Sequence, residues 1–283
     1  MTARSSFIAG MGRREAMLIT SATAIVLIVM LLPIASVILI SFTSAHTIEF
    51  PPPGLSLRWY QAAASMMFGP EADIVRLRES LGTSLLVATL TSLVCALAGI
   101  PAAYTLVRGR FPGKAIVGEL VDLPIVFPAI VLAIALLMIV SALPFDLGIL
   151  QLVIAHSIVA LPFMIRNVAA ALQRLDPGLE EAAQTLGASP LKAFSEVILP
   201  LVRGGVVSGG LIVFALSFNE FTLSYFLYTV DAFPLSIWLF QQGNTMINPT
   251  IFAISTAMIV INVAIIILVD RIGAKANSSP FVS

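Results

Sequence analysis

Residues 176–200 run Asp176-Pro177-Gly178-Leu179-Glu180-Glu181-Ala182-Ala183-Gln184-Thr185-Leu186-Gly187-Ala188-Ser189-Pro190-Leu191-Lys192-Ala193-Phe194-Ser195-Glu196-Val197-Ile198-Leu199-Pro200, a polar island between two apolar stretches. Asp176 is a good N-cap, and Pro177 suits a first helical position, where its missing N–H costs nothing. Glu180 and Glu181 fall at or near the first turn, where the helix dipole favours negative charge. Gly187 suits the left-handed conformation that ends a helix. Ser189-Pro190 repeats the cap-plus-proline signal and predicts a second short helix to about Val197. Pro200 and Gly204-Gly205 are then expected to break the chain. Leu179, Ala183 and Leu186 make one apolar stripe, and Leu191, Phe194 and Ile198 another. Two such short helices are not stable alone and must lie against something; a hairpin resting on lipid headgroups is one possibility.

The surroundings of this elbow are membrane-like. The chain of 283 residues is 59% hydrophobic and 11% charged, whereas a soluble domain carries about a quarter charged residues. Such a chain has too little polar surface to cover a water-facing globule, and lipid tails remove that requirement. Its formal net charge is zero, which gives no sign of a nucleic-acid partner. The one cysteine, Cys95, lies in an apolar run and reads as inert packing; a lone cysteine builds neither a disulfide framework nor a CxxC metal site.

A spanning helix needs about 20 mostly apolar residues, because the lipid core is about 30 Å thick and each residue rises about 1.5 Å. Six stretches qualify, roughly 16–42, 81–107, 116–140, 149–171, 204–227 and 249–269. The first is too long for a cleavable signal core of roughly 7–15 residues and reads as a retained helix. The fold class expected is therefore all-α, a six-span membrane protein read as one domain over residues 1–283. An even number of spans puts both termini on one side. All but three of the 15 Lys and Arg, Arg58, Arg76 and Arg78, fall on that side, including Arg4, Arg13, Arg14, Arg166, Arg174, Arg271 and Lys275. The excess of cations makes that side cytoplasmic. Residues 43–80 then form an external loop and residues 172–203 a cytoplasmic one. In the external loop, Pro51-Pro52-Pro53-Gly54 breaks the chain before Leu57-Arg58-Trp59-Tyr60, a short-helix signal whose aromatic pair suits an interfacial anchor or a docking surface for an external partner.

The cytoplasmic loop resembles a known family. Glu181-Ala182-Ala183, three residues, Gly187, nine residues, then Val197-Ile198-Leu199-Pro200 looks like the EAA loop of binding-protein-dependent ABC importer permeases, with Val197 where the family has isoleucine. That resemblance implies a type I importer permease fold and a bacterial inner-membrane location. It also implies that Glu180, Glu181, Ala182, Ala183, Leu186, Gly187, Ser189 and Pro190 form or flank the contact with a cytoplasmic ABC ATPase dimer. The other partners implied are a second permease subunit, a periplasmic or lipid-anchored solute-binding protein, and membrane lipid. ATP and magnesium would be bound by the ATPase, leaving this chain without a cofactor. Asp122-Leu123-Pro124-Ile125-Val126-Phe127-Pro128, Ser217-Phe218-Asn219-Glu220-Phe221, Asn248-Pro249 and Arg58-Trp59-Tyr60 resemble the polyamine-type branch, which includes permeases for spermidine and putrescine, opines, thiamine, ferric iron and phosphonates. A small cationic solute is the leading expectation.

Charges within the spans are functional candidates, because a charge facing lipid is costly. Glu220 lies about 16 residues, or roughly 24 Å, into the fifth stretch. It suits a cationic solute, with Asn219 adding hydrogen bonds and Phe218, Phe221 or Tyr225 a cation–π surface. Alternatively it pairs with a partner permease or reaches interfacial water. Glu119 and Asp122 share a helix face, and dipole stabilisation at a helix N-terminus accounts for them better than acid–base chemistry. Pro124 and Pro128 should kink the third span and place it beside a water-filled pathway. Gly205 and Gly209 permit close helix approach, within the chain or to a second permease. His156 and His46 have no second ligand at metal spacing and read as hydrogen-bonded packing.

An ATPase would need GxxxxGK[ST]. The nearest stretch, Gly109-Arg110-Phe111-Pro112-Gly113-Lys114-Ala115, is one residue short and lacks the hydroxyl, so it reads as a charged turn. An ion-coupled secondary transporter and a membrane enzyme using Glu119 and Asp122 are the readings from other classes. Neither accounts for residues 181–200.

Overall fold

Long apolar runs with few glycines or prolines inside them fold as helices, since in lipid every backbone group must be satisfied within its own segment. The structure, a computed structural model, describes residues 13–69, 72–245 and 248–277. Arg4 and the side chains of Arg13 and Lys275 lie outside the described residues. The elements in chain order are α1 (Arg13–Ser41), α2 (Arg58–Phe68), α3 (Ala72–Arg108), α4 (Lys114–Val126), α5 (Ala129–Ser141), α6 (Ile149–Gln173), α7 (Gly178–Thr185), α8 (Pro190–Ala193), a π-helical turn (Phe194–Ile198), α9 (Leu199–Phe218), α10 (Thr222–Leu227), α11 (Leu235–Thr245) and α12 (Thr250–Asn277). Among the described residues the only β-pairing is an isolated bridge between Thr43 and Leu55. Among the described residues, five helices are long and apolar enough to cross a membrane, and a bent pair supplies a sixth candidate.

The chain forms two compact units, Met1–Ser65 with Thr245–Met258, and Met66–Asn244 with Ile259–Ser283. In the first, α1 is exposed along its apolar length, as at Leu18 and Met30, which suits a lipid-facing helix. The loop after α1 is stitched by its own residues. Arg58 donates to the Ser44 carbonyl at 2.8 Å and contacts His46 Nε2 at 3.1 Å. The Tyr60 hydroxyl meets Ser41 Oγ at 2.7 Å, and the His46 ring stands edge-on to Trp59, which is itself buried. The Arg58-Trp59-Tyr60 triplet thus holds the loop to the end of α1.

In the second unit α3, α6 and α9 pack on one another. Cys95, Ala103, Ala160, Met164, Val168, Leu172 and Val213 form the core between them. A second core joins α5, α6 and α10 through Ala133, Leu152, Leu223 and Leu227. The helices approach closely because glycines face them. A Cβ on Gly205 would lie 2.6 Å from the Ala171 Cβ, and one on Gly209 3.0 Å from Met164 Sδ. The GxxxG pair therefore packs within the chain, on α6. Cys95 is fully buried.

Several expectations from the sequence are corrected. The third span is not merely kinked: α4 and α5 meet at 97°. Proline restricts the residue before it to extended backbone, and Phe127 has φ −70° and ψ 139°. Pro124, by contrast, is tolerated inside α4. The fifth span does not reach residue 227; α9 ends at Phe218, and α10 starts afresh at Thr222. Nor does the chain break at Pro200 or Gly204-Gly205. Helix runs from Pro190 through Phe218, and the π-helical turn sits just where Pro200 withdraws its N–H from the backbone ladder. Finally, α3 begins at Ala72 rather than near residue 81.

Candidate functional site

The elbow at residues 176–192 is built by local hydrogen bonds. Asp176 Oδ1 accepts the Gly178 N–H at 2.8 Å, so the expected cap starts α7. At the other end the Gly187 N–H donates to Gln184 O (2.9 Å) and the Ala188 N–H to Ala183 O (3.1 Å). This is the Schellman pattern, and Gly187 takes the left-handed conformation it demands, with φ +92°. Ser189 Oγ then accepts the Lys192 N–H at 3.3 Å, with Pro190 in the first helical turn.

Glu181, Ala182, Gly187, Ser189 and Pro190 are exposed, whereas Glu180 and Ala183 are half-buried. Of the two apolar stripes, Leu179, Ala183 and Phe194 are half-buried and Ile198 is buried. Leu186 is 89% exposed and Leu191 76%, so two large apolar side chains flank the glycine elbow with nothing covering them.

Two side chains of α3, Tyr104 and Arg108, bond to the elbow and to the end of α6. The Tyr104 hydroxyl of α3 donates to Glu180 Oε1, and its ring stands edge-on to Phe194 with centroids 4.8 Å apart. Arg108 Nη2 donates to Leu175 O at 2.8 Å and Leu172 O at 3.3 Å, fastening the end of α3 to that of α6. An open cleft of about 690 Å³ lies here, lined by Tyr104, Arg108, Arg110, Lys114, Glu180 and Glu181 among others. The charged turn at residues 109–114 has a local job: Lys114 Nζ donates to the Val107 and Gly109 carbonyls at the end of α3.

A second polar feature stands at the break between α9 and α10. Asn219 and Asn262 exchange amide hydrogen bonds of 2.6 and 3.0 Å, and Asn219 also donates to Ala215 O at 2.7 Å. Glu220 Oε1 accepts the Leu223 N–H at 2.9 Å, capping α10. No bond is made by Oε2 among the described residues. Phe221, Tyr225 and Phe240 form an aromatic triad, with centroid separations of 5.0 to 5.6 Å. Phe218 is not part of that surface; it is buried and stacks on Phe214 at 5.9 Å. Pro124 and Pro128 belong to the α4–α5 region instead, and α5 packs against α10.

Glu119 and Asp122 are not at a helix N-terminus, as α4 begins at Lys114 with no acidic residue in its first turn. Asp122 is held by Arg166 of α6, in a two-pronged pair of 2.7 and 3.0 Å. The partners of these groups, Arg166, Tyr104 and Asn262, were not found from the sequence. The only available signal was a polar side chain in an apolar helix, which marks a candidate without naming its mate.

Comparison with known proteins gives the family. Residues 95–278 match the family described as binding-protein-dependent transport system inner membrane component. The chain is 31% identical over 224 residues to the spermidine/putrescine transport system permease protein PotC of Haemophilus influenzae, covering 79% of this chain and 84% of that one. It is 29% identical over 237 residues to the putrescine transport system permease protein PotI of Escherichia coli, covering 80% of each. Among solved structures, a chain of a bacterial ABC transporter involved in the import of the acidic polysaccharide alginate shares the fold, with TM-score 0.63, 16% identity, and 95% and 97% of the two chains covered. The chain belongs to the family of binding-protein-dependent transport system inner membrane components, the permease subunits of ABC importers.

Proposed function

We propose that this permease works as one of a pair of such subunits, carrying a small cationic solute of polyamine type inward through the bilayer. Its exposed elbow, residues 180–190, seats on a cytoplasmic ATPase dimer that binds the ATP and magnesium. A solute-binding protein delivers the solute from outside, and both termini of the permease face the cytoplasm. The observation that carries the coupling role is the uncovered pair Leu186 and Leu191 around Gly187. Exposed large apolar groups beside a rigid turn suit a protein partner, and α8, the π-helical turn and α9 run on from that turn as one continuous helix into the membrane.

The solute class draws on Glu220 and the Phe221-Tyr225-Phe240 triad, a carboxylate beside ring faces that suit a cation. It draws also on the relatives, whose names give spermidine and putrescine. Alternating access follows from the mechanics. The ATPase shifts the elbow only if it binds the two permease states with different affinity. The uptake of labelled putrescine and spermidine by proteoliposomes holding the assembled permease pair, ATPase and binding protein tests this reading. Uptake that needs ATP on the ATPase side supports it. Uptake driven by an ion gradient without the ATPase, or transport of neutral or anionic solutes alone, contradicts it.

A further inference from the structure

His156 of α6 is buried and bonded at both ring nitrogens. Nδ1 lies 2.8 Å from Ser217 Oγ, in the last turn of α9. Nε2 lies 3.1 Å from Ser224 Oγ, in α10. The ring therefore spans the break at residues 219–221, with one hand on each side of it.

The direction of these bonds follows from the hydroxyl of Ser224. It carries one hydrogen, which goes to the Glu220 carbonyl at 2.8 Å, because a carbonyl only accepts. Toward His156, Ser224 must then accept, so Nε2 donates. In the neutral ring Nδ1 is left to accept, and Ser217 donates to it. One chain of donors runs from Ser217 through His156 and Ser224 to the backbone of Glu220, with every member satisfied. The Ser236 hydroxyl adds a second bond to the same carbonyl, at 3.2 Å. At the far end of α10, Gln151 of α6 donates to Leu227 O at 2.5 Å. The short helix α10 is thus pinned to α6 at both ends. Glu220 stands at the pinned end, with its Oε1 spent on capping α10.

We propose that His156 is the positioning residue of this break. As the neutral Nε2–H ring it clamps α9 and α10 to α6, and so fixes the Glu220 carboxylate where the cationic solute meets it. The inference rests on the reading of Glu220 as a solute contact, and the two can fail separately.

The experiment is a double-mutant cycle in the reconstituted importer, with KM and kcat for putrescine measured alongside basal ATPase activity. E220Q alone tests the solute contact, and a rise in KM is expected. H156L should raise KM by about five- to tenfold, the size of one or two lost hydrogen bonds, with kcat little changed. In the E220Q background H156L should add nothing, because the charge it positions is gone. H156Q, whose amide N–H reaches toward Ser224, should restore most of the KM. H156N, which reaches only toward Ser217, should not. KM changes that multiply independently in the double variant, or equal rescue by both amides, would overturn the positioning role while leaving the solute contact standing. An unchanged KM in E220Q would overturn the solute contact and the inference with it. A loss of basal ATPase activity or yield in H156Q as well as H156L, with KM unchanged, would reduce His156 to structural support and overturn the proposal.

Discussion

At the scale of single residues, the polar break divides Glu220 into two oxygens with different work. Oε1 accepts a backbone N–H, and Oε2 makes no bond among the described residues. Changing Glu220 to glutamine keeps an acceptor for the cap and removes only the charge. The expected result is an importer of normal yield whose KM for a cationic solute rises roughly tenfold or more, since bonds to a charged group are the stronger ones. Initial-rate uptake over a range of putrescine concentrations checks it, and a normal KM would remove Glu220 from the path. Glu220 was visible in the sequence because a carboxylate inside an apolar run is expensive. Its neighbour's partner was not: Asn262 lies 43 residues after Asn219, and Tyr104 lies 76 before Glu180. Pairings at such separations are made by tertiary packing, and no local pattern encodes them. The same holds for Asp122, whose carboxylate looked like a dipole partner until Arg166 was found beside it.

At the scale of elements, the elbow was legible because caps and glycines act locally. Asp176, Gly187, Ser189 and Pro190 each do in the structure what their chemistry suggests. Gly187→Ala places a Cβ in the left-handed region, which costs about 1–2 kcal/mol. It should lower the thermal stability of the assembly and weaken retention of the ATPase during purification. Gly205 has a different reason for being glycine, the Ala171 side chain 2.6 Å from a built Cβ. Gly205→Leu should destabilise the α6–α9 contact by about 1–3 kcal/mol or more, as overpacking does, seen as a lower unfolding temperature in detergent. Gly243→Ala, where a Cβ meets nothing within 4 Å, serves as the neutral control. The prolines show where local reading runs out. Pro128 breaks its helix at 97°, while Pro200 is absorbed by the π-helical turn before it. Both lack an N–H, and the outcome depends on whether the neighbouring turn can widen, which packing decides.

At the scale of the whole molecule, the helix that leaves the elbow at Pro190 is continuous with the fifth span. Pro190 to Phe218 is 29 residues of helix, or about 43 Å, longer than the lipid core alone requires. On the proposed function, the excess would carry the span out to the glycine turn, and a push at Gly187 would reach the polar break at the other end of the same helix. Tyr104 bonds the elbow to α3, and Arg108 bonds α3 to the end of α6. The six apolar stretches outline the long helices, whereas the bend in the third span and the early end of the fifth needed tertiary contacts. Loss of the Tyr104–Glu180 bond should uncouple the elbow from α3: Tyr104→Phe is expected to leave ATP hydrolysis largely intact while lowering solute uptake several-fold, read as the ratio of ATP consumed to solute imported. Unchanged stoichiometry would show that the bond transmits nothing.

The central claim is that the exposed elbow is a seat for the ATPase. Its most direct test is thiol labelling of Leu186→Cys in a Cys95→Ser background, using a membrane-impermeant maleimide on vesicles with the cytoplasmic face outward. The account predicts rapid labelling of the permease pair alone and strong protection when the ATPase is bound, with the degree of protection changing with nucleotide. Labelling that is equally fast with and without the ATPase would contradict it.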